Sequence, residues 1–134
     1  MDDCIFCKIV SGDIPSTKIY EDEDFLAFLD LSQATRGHSL LIPKKHYRNI
    51  LEMTGDEASA LFAKVPALAN QIVNTLDAEG INIILNSEEV AGQTVFHTHV
   101  HLLPRYSNDD GPDFLHTPQH DYDLETIANQ IKGE

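Results

Sequence analysis

The chain has 134 residues, 42% of them apolar and 23% charged, with a formal net charge of −13. That composition fits one packed globule and argues against disorder. The acidity argues against a duplex DNA or RNA partner, which needs cationic surface to release phosphate counterions, but it leaves room for a single nucleotide in one local pocket.

The N-terminal run MDDCIFCKIV carries acid where a signal peptide carries base, and no apolar run reaches bilayer-spanning length. A soluble, cytoplasmic protein without membrane contact is expected. Cys4 and Cys7 are the only cysteines, and a pair three apart suits a metal or redox role in a reducing compartment better than a disulfide framework. A short helix is expected at about 5–10. Strands follow at 17–21 and 24–30, joined by a tight turn at Asp22-Glu23, and at 39–43. Thr54 and Glu57 have capping-box spacing, and Ala58, Leu61, Phe62, Val65, Leu68, Ile72 and Leu76 continue at helical spacing to about residue 77. This predicts one long helix, kinked where Pro66 leaves the Phe62 carbonyl without a donor. Strands at 81–86 and 95–103, a loop over 107–122 and a helix at 123–132 complete an α+β domain on a five-stranded antiparallel sheet.

The stretch GQTVFHTHVHLLPRY places His97, His99 and His101 at every second position. On a strand they share one face, and Thr98, Val100 and Leu102 share the other. A row of imidazoles serves a metal site, a nucleophile with its helpers, or a pH switch. Side chains two apart on a strand are separated by roughly 6.5–7 Å, so one ion cannot readily take all three. Ala91-Gly92-Gln93-Thr94, just upstream, offers a bend, backbone donors, an amide and a hydroxyl suited to phosphate oxygens.

GQTVFHTHVHLLPR resembles the His-x-His-x-His motif of the histidine triad (HIT) superfamily of nucleotide hydrolases and transferases. The match continues upstream through CIFCKIVSGDIPSTKIYEDEDFLAFLDLSQATRGHSLLIPKKHYRNI and looks like the Hint branch. It covers residues 4 to about 106. The tail 107–134 departs from the short Hint ending and is more similar to bacterial relatives that finish in a helix. The resemblance implies a single HIT domain over 1–134 and a homodimer in which the long helix and strand 81–86 meet across a two-fold axis and continue the sheet.

It also implies roles. His99 matches the nucleophile that attacks the α-phosphorus of a purine nucleoside phosphoramidate or mixed anhydride, giving a nucleotidyl-imidazole that water hydrolyses. His101, Gln93 and Thr94 match phosphate contacts, with His97 orienting the nucleophile or taking a structural role. Asp30 matches the ribose-binding acid, Asn86 the amide at the ribose-phosphate side, and Ile5, Phe6, Ile9, Phe28 and Leu31 the apolar base pocket. A dinucleoside polyphosphate hydrolase and a nucleotide-binding regulatory protein without turnover are the alternatives. No organic cofactor is expected.

The Cys4-x-x-Cys7 pair lacks the βαβ setting of a redox motif. Two thiolates plus two imidazoles make a closed structural zinc site. If strands 39–43 and 95–103 pair antiparallel, His46 lies beside His97 and His38 approaches His101. Cys4, Cys7, His46 and His97 are therefore the expected zinc ligands, in the manner of bacterial members that resemble this chain.

Overall fold

The computed structural model describes residues 3–134; the first two residues of the expected domain lie outside the described ones. Five strands form one sheet: β1 (Lys18–Glu21), β2 (Phe25–Leu29), β3 (Ser39–Pro43), β4 (Gly80–Leu85) and β5 (Val100–Arg105). Their spatial order is β1-β2-β3-β5-β4, and every pairing is antiparallel. The turn between β1 and β2 closes on Asp22, whose Oδ1 accepts the amides of Asp24 at 2.8 Å and Phe25 at 2.7 Å.

The period of two divides β2, β3 and β5 between two cores. Phe25, Ala27, Leu41, Val100 and Leu102 face one side, where Leu61, Val65, Leu68 and Ile72 cover them. Leu26, Phe28, Leu40 and Ile42 face the other, where Phe6 and Ile9 of helix α1 (Ile5–Ser11) cover them. Helix α1 begins with the Cys4 sulfur accepting the Cys7 amide and stops at Gly12, whose φ of 88° favours a residue without Cβ.

The single kinked helix expected over 54–77 is instead two helices, α2 (Gly55–Phe62) and α3 (Val65–Leu76). The capping box of Thr54 and Glu57 starts α2 as read. Pro66 lies in the first turn of α3, where a missing N–H leaves no helical bond unmade. The chain therefore ends one helix and starts another rather than bending through the proline. Helix α4 (Leu124–Lys132) is capped by Asp123 and buries none of its residues. Among the described residues, no helix is long and apolar enough to cross a membrane.

The strand expected at 95–103 begins only at Val100. Upstream of it, the chain is tied to the segment after β3 by single bonds. The Thr98 amide and hydroxyl both donate to the Tyr47 carbonyl, at 2.8 and 3.1 Å, and the His97 ring donates to the Pro43 carbonyl. The backbone passes beside β3 without entering its ladder, yet the alternation of faces persists.

Candidate functional site

His99 and His101 lie on the α1 side of the sheet, their ring centroids 5.0 Å apart, while Val100 and Leu102 point into the opposite core. Register places His101 opposite Leu40 and brings the end of the β3–β5 pair to His38. Phe6 meets His99 edge-on at 5.1 Å. His97 is fully buried and His99 is 5% exposed.

Backbone partners assign the ring protons. The His97 carbonyl can only accept, so His99 donates from Nδ1 across 2.7 Å and keeps a free lone pair on Nε2. His38 Nδ1 accepts the Ala34 amide at 3.2 Å, which puts its proton on Nε2, 2.9 Å from His101 Nδ1. His101 then carries its own proton on Nε2. Burial lowers the pKa of His38 and His99 and brings His101 down to about 4. All three rings are neutral near pH 7.

His99 and His101 border a cleft of about 340 Å³ lined also by Ile5, Phe6, Ile9, Phe28, Asp30, Leu31 and Thr94. The structure thus brings together most of the residues read as nucleotide contacts. Leu31 stands at the rim, 96% exposed. Ile14, Pro15 and Leu40 also line the cleft; the loop after α1 that carries Ile14 and Pro15 has no periodic signal, and Leu40 reads in the sequence as ordinary strand core. Asn86 is not among the lining residues. It borders a neighbouring hollow of about 270 Å³ shared with His38, His101, Pro112 and Phe114, which brings the start of the tail beside the triad.

Gln93 occupies a place its assignment as a phosphate contact did not anticipate. It is 1% exposed. Its amide donates to the carbonyls of Arg48 at 2.6 Å and Val95 at 3.0 Å. Its oxygen accepts from Asn49 at 3.1 Å and from the Glu88 amide at 2.8 Å. All its hydrogen-bonding capacity is spent inside the protein, so it holds the loop rather than a ligand. Glu88 adds a paired contact to Arg48, both bonds 2.8 Å, and accepts from Asn49. Those bonds, Arg48 first, hold its carboxyl near 2. They also secure a backbone φ of 78° at a non-glycine residue. Sequence reading had no signal for this network, since Arg48 and Glu88 are distant in the chain and ordinary in type.

On the far side of His97, Cys4, Cys7, His46 and His97 each present a ligand atom, all within 4.8 Å of one another. His97 Nδ1 is 3.4 Å from the Cys4 sulfur and 3.5 Å from that of Cys7; His46 Nδ1 is 3.3 Å from Cys7. Because His97 Nε2 is committed to the Pro43 carbonyl at 2.7 Å, its Nδ1 lone pair faces both sulfurs. Burial, then the Cys4 neighbour, pushes the Cys7 thiol up to about 11. Donor types, spacing and the backed imidazole fit a tetrahedral metal.

An antiparallel sheet carrying alternate neutral imidazoles at the lip of an apolar, carboxylate-edged cleft defines a histidine-triad protein. The HIT domain profile matches residues 11–108, and the chain belongs to that family. It is 48% identical to Protein hit of Bacillus subtilis, over 97% of this chain and 92% of that one. It is 42% identical to adenylylsulfatase HINT3 of Arabidopsis thaliana, over 80% of this chain and 54% of the other. The crystal structure of a HIT family member from Bacillus subtilis superposes with a TM-score of 0.91 at 45% identity, covering 98% of this chain and 96% of that one.

Proposed function

We propose that this protein hydrolyses purine nucleoside phosphoramidates, or related nucleotides activated at the α-phosphorus, through a nucleotidyl-His99 intermediate. The observation that carries the reading is the Nδ1–H of His99 held by the His97 carbonyl at 2.7 Å. That bond leaves Nε2 as the nucleophilic nitrogen of a neutral ring. Attack forms an N–P bond and breaks the bond to the leaving group, which takes a proton from solvent. Water then adds its oxygen to the phosphorus, breaks the N–P bond and returns a proton to solvent, releasing the nucleoside monophosphate and neutral His99. His101 Nε2–H is the donor for a phosphoryl oxygen whose charge grows in the transition state. Thr94 supplies a second donor at the rim, Asp30 takes the ribose hydroxyls, and Phe6, Ile9 and Phe28 hold the base. Asn86 and the tail at Pro112 and Phe114 flank the phosphate side.

The family and a relative named as an adenylylsulfatase support chemistry at a nucleotide phosphorus. A relative of that name also keeps mixed anhydrides within the substrate range. The test is turnover of adenosine 5′-phosphoramidate beside a dinucleoside triphosphate, with trapping of a phosphorus-bearing adduct on His99. Cleavage of the dinucleotide alone favours the polyphosphate hydrolase; binding of AMP without turnover of either favours a regulatory binding protein.

We further propose zinc as the ion for Cys4, Cys7, His46 and His97, where it would anchor α1 beside the β5 lead-in and take no part in the reaction. The exposed outer edge of β4, with Ile83 40% exposed, supports a homodimer that continues the sheet.

A further inference from the structure

One proton in the histidine row faces two acceptors. His38 is 6% exposed, and burial keeps it neutral with a single ring hydrogen. Ala34 donates to its Nδ1, so that hydrogen sits on Nε2. His101 Nδ1 lies 2.9 Å away, and Asp30 Oδ2 lies 3.6 Å away from the same nitrogen. Asp30 also borders the cleft, and its other oxygen accepts the Ser32 amide at 2.8 Å.

We propose that His38 is a positioning residue that sets the tautomer of His101, and that ribose bound at Asp30 commits the His38 proton to that task. This rests on the nucleotide-hydrolase reading above. With the His38 proton on His101 Nδ1, neutral His101 holds its own proton on Nε2 and offers a donor to the phosphoryl oxygen. If the proton turns to Asp30, His101 is free to carry hydrogen on Nδ1, and its Nε2 lone pair then faces an anionic oxygen. A carboxylate is the stronger acceptor, although at 3.6 Å it is beyond normal hydrogen-bond length. Ribose hydroxyls donating to Asp30 occupy its lone pairs and weaken its pull. Sugar recognition and phosphate activation therefore share one hydrogen, and a nucleotide without those hydroxyls meets a triad in which His101 presents its Nε2 donor only part of the time.

The experiment compares adenosine 5′-phosphoramidate with its 2′,3′-dideoxy analogue under single-turnover conditions, so that the chemical step is read apart from binding. Wild-type protein should cleave the dideoxy analogue about tenfold more slowly at saturation, the scale of one misdirected hydrogen bond to a charged group. In Asp30→Asn, without a charged competitor, the ratio of saturated rates should fall near one. In His38→Gln both substrates should slow together. Imidazole ¹⁵N shifts should report His101 protonated on Nε2 with AMP, and a mixture of tautomers with dideoxy-AMP. Equal saturated rates in the wild type, with a difference in KM alone, would overturn the coupling and leave hydrolysis standing. So would a ratio that survives in Asp30→Asn. No turnover of either substrate and no adduct on His99 would overturn the hydrolase reading and this proposal together.

Discussion

His97 donates its Nε2–H to the carbonyl oxygen of Pro43 across 2.7 Å, and this bond turns the ring's other nitrogen toward Cys4 and Cys7. Pro43 ends β3, so the place where that strand stops decides which face of the first triad histidine is free. The same residue thus belongs to the Cys4–Cys7–His46 cluster by its side chain and, by its backbone carbonyl, holds Nδ1 of His99, the proposed nucleophile.

Protein purified without added metal should therefore contain about one zinc per chain, as four Cys and His donors predict. Cys4→Ser should lose the metal and lower the midpoint of thermal unfolding. Elemental analysis beside a melting curve checks both. Metal-free protein of full stability would remove zinc from the account.

His99→Ala should abolish the adduct and cut turnover by at least about 10⁴-fold, as for loss of a nucleophile in a concerted site, with AMP affinity little changed. His101→Ala should cost on the order of 10²–10³ in kcat, the scale of one transition-state donor, while the adduct still forms. Rapid-quench kinetics with isothermal titration separates the two effects.

Gln93→Ala should behave as a stability variant. Its four internal bonds join Arg48, Asn49, Glu88 and Val95, and stranding buried partners should cost about 2–3 kcal/mol in urea unfolding. A variant of unchanged stability but much lower kcat would return Gln93 to the phosphate.

Acid should weaken the fold before it reaches the ordinary carboxylate range. Burial holds His101 at about 4, below its ordinary 6.5, so as pH falls the unfolded chain takes up that proton first. Its contribution is complete above pH 6.5 and is lost as pH falls from there toward 4. Across this window the stability read from urea unfolding should fall with pH less steeply in His101→Gln than in the wild type, while the buried His38 and His99 keep the remaining slope. The plateau of kcat/KM should extend below 6.5, because burial lowers His99 and His101 alike.

Much of this protein is local and therefore legible in the chain. Unbroken apolar runs in DFLAFLD and SLLIP yield strands buried on both faces, the Thr54–Glu57 spacing starts a helix, and the triad's period of two sends His99 and His101 to one side. Antiparallel pairing of β3 with β5 was enough to anticipate His46 beside His97 and His38 beside His101. Where elements stop was harder to read, because Pro66 could kink a helix or open a new one, and only packing chose the second. Ring protons, the burial of Gln93 and the Arg48–Glu88 pair lay beyond the sequence altogether. Each depends on which distant carbonyl or amide arrives within 3 Å, and that is settled when the sheet closes over its two cores.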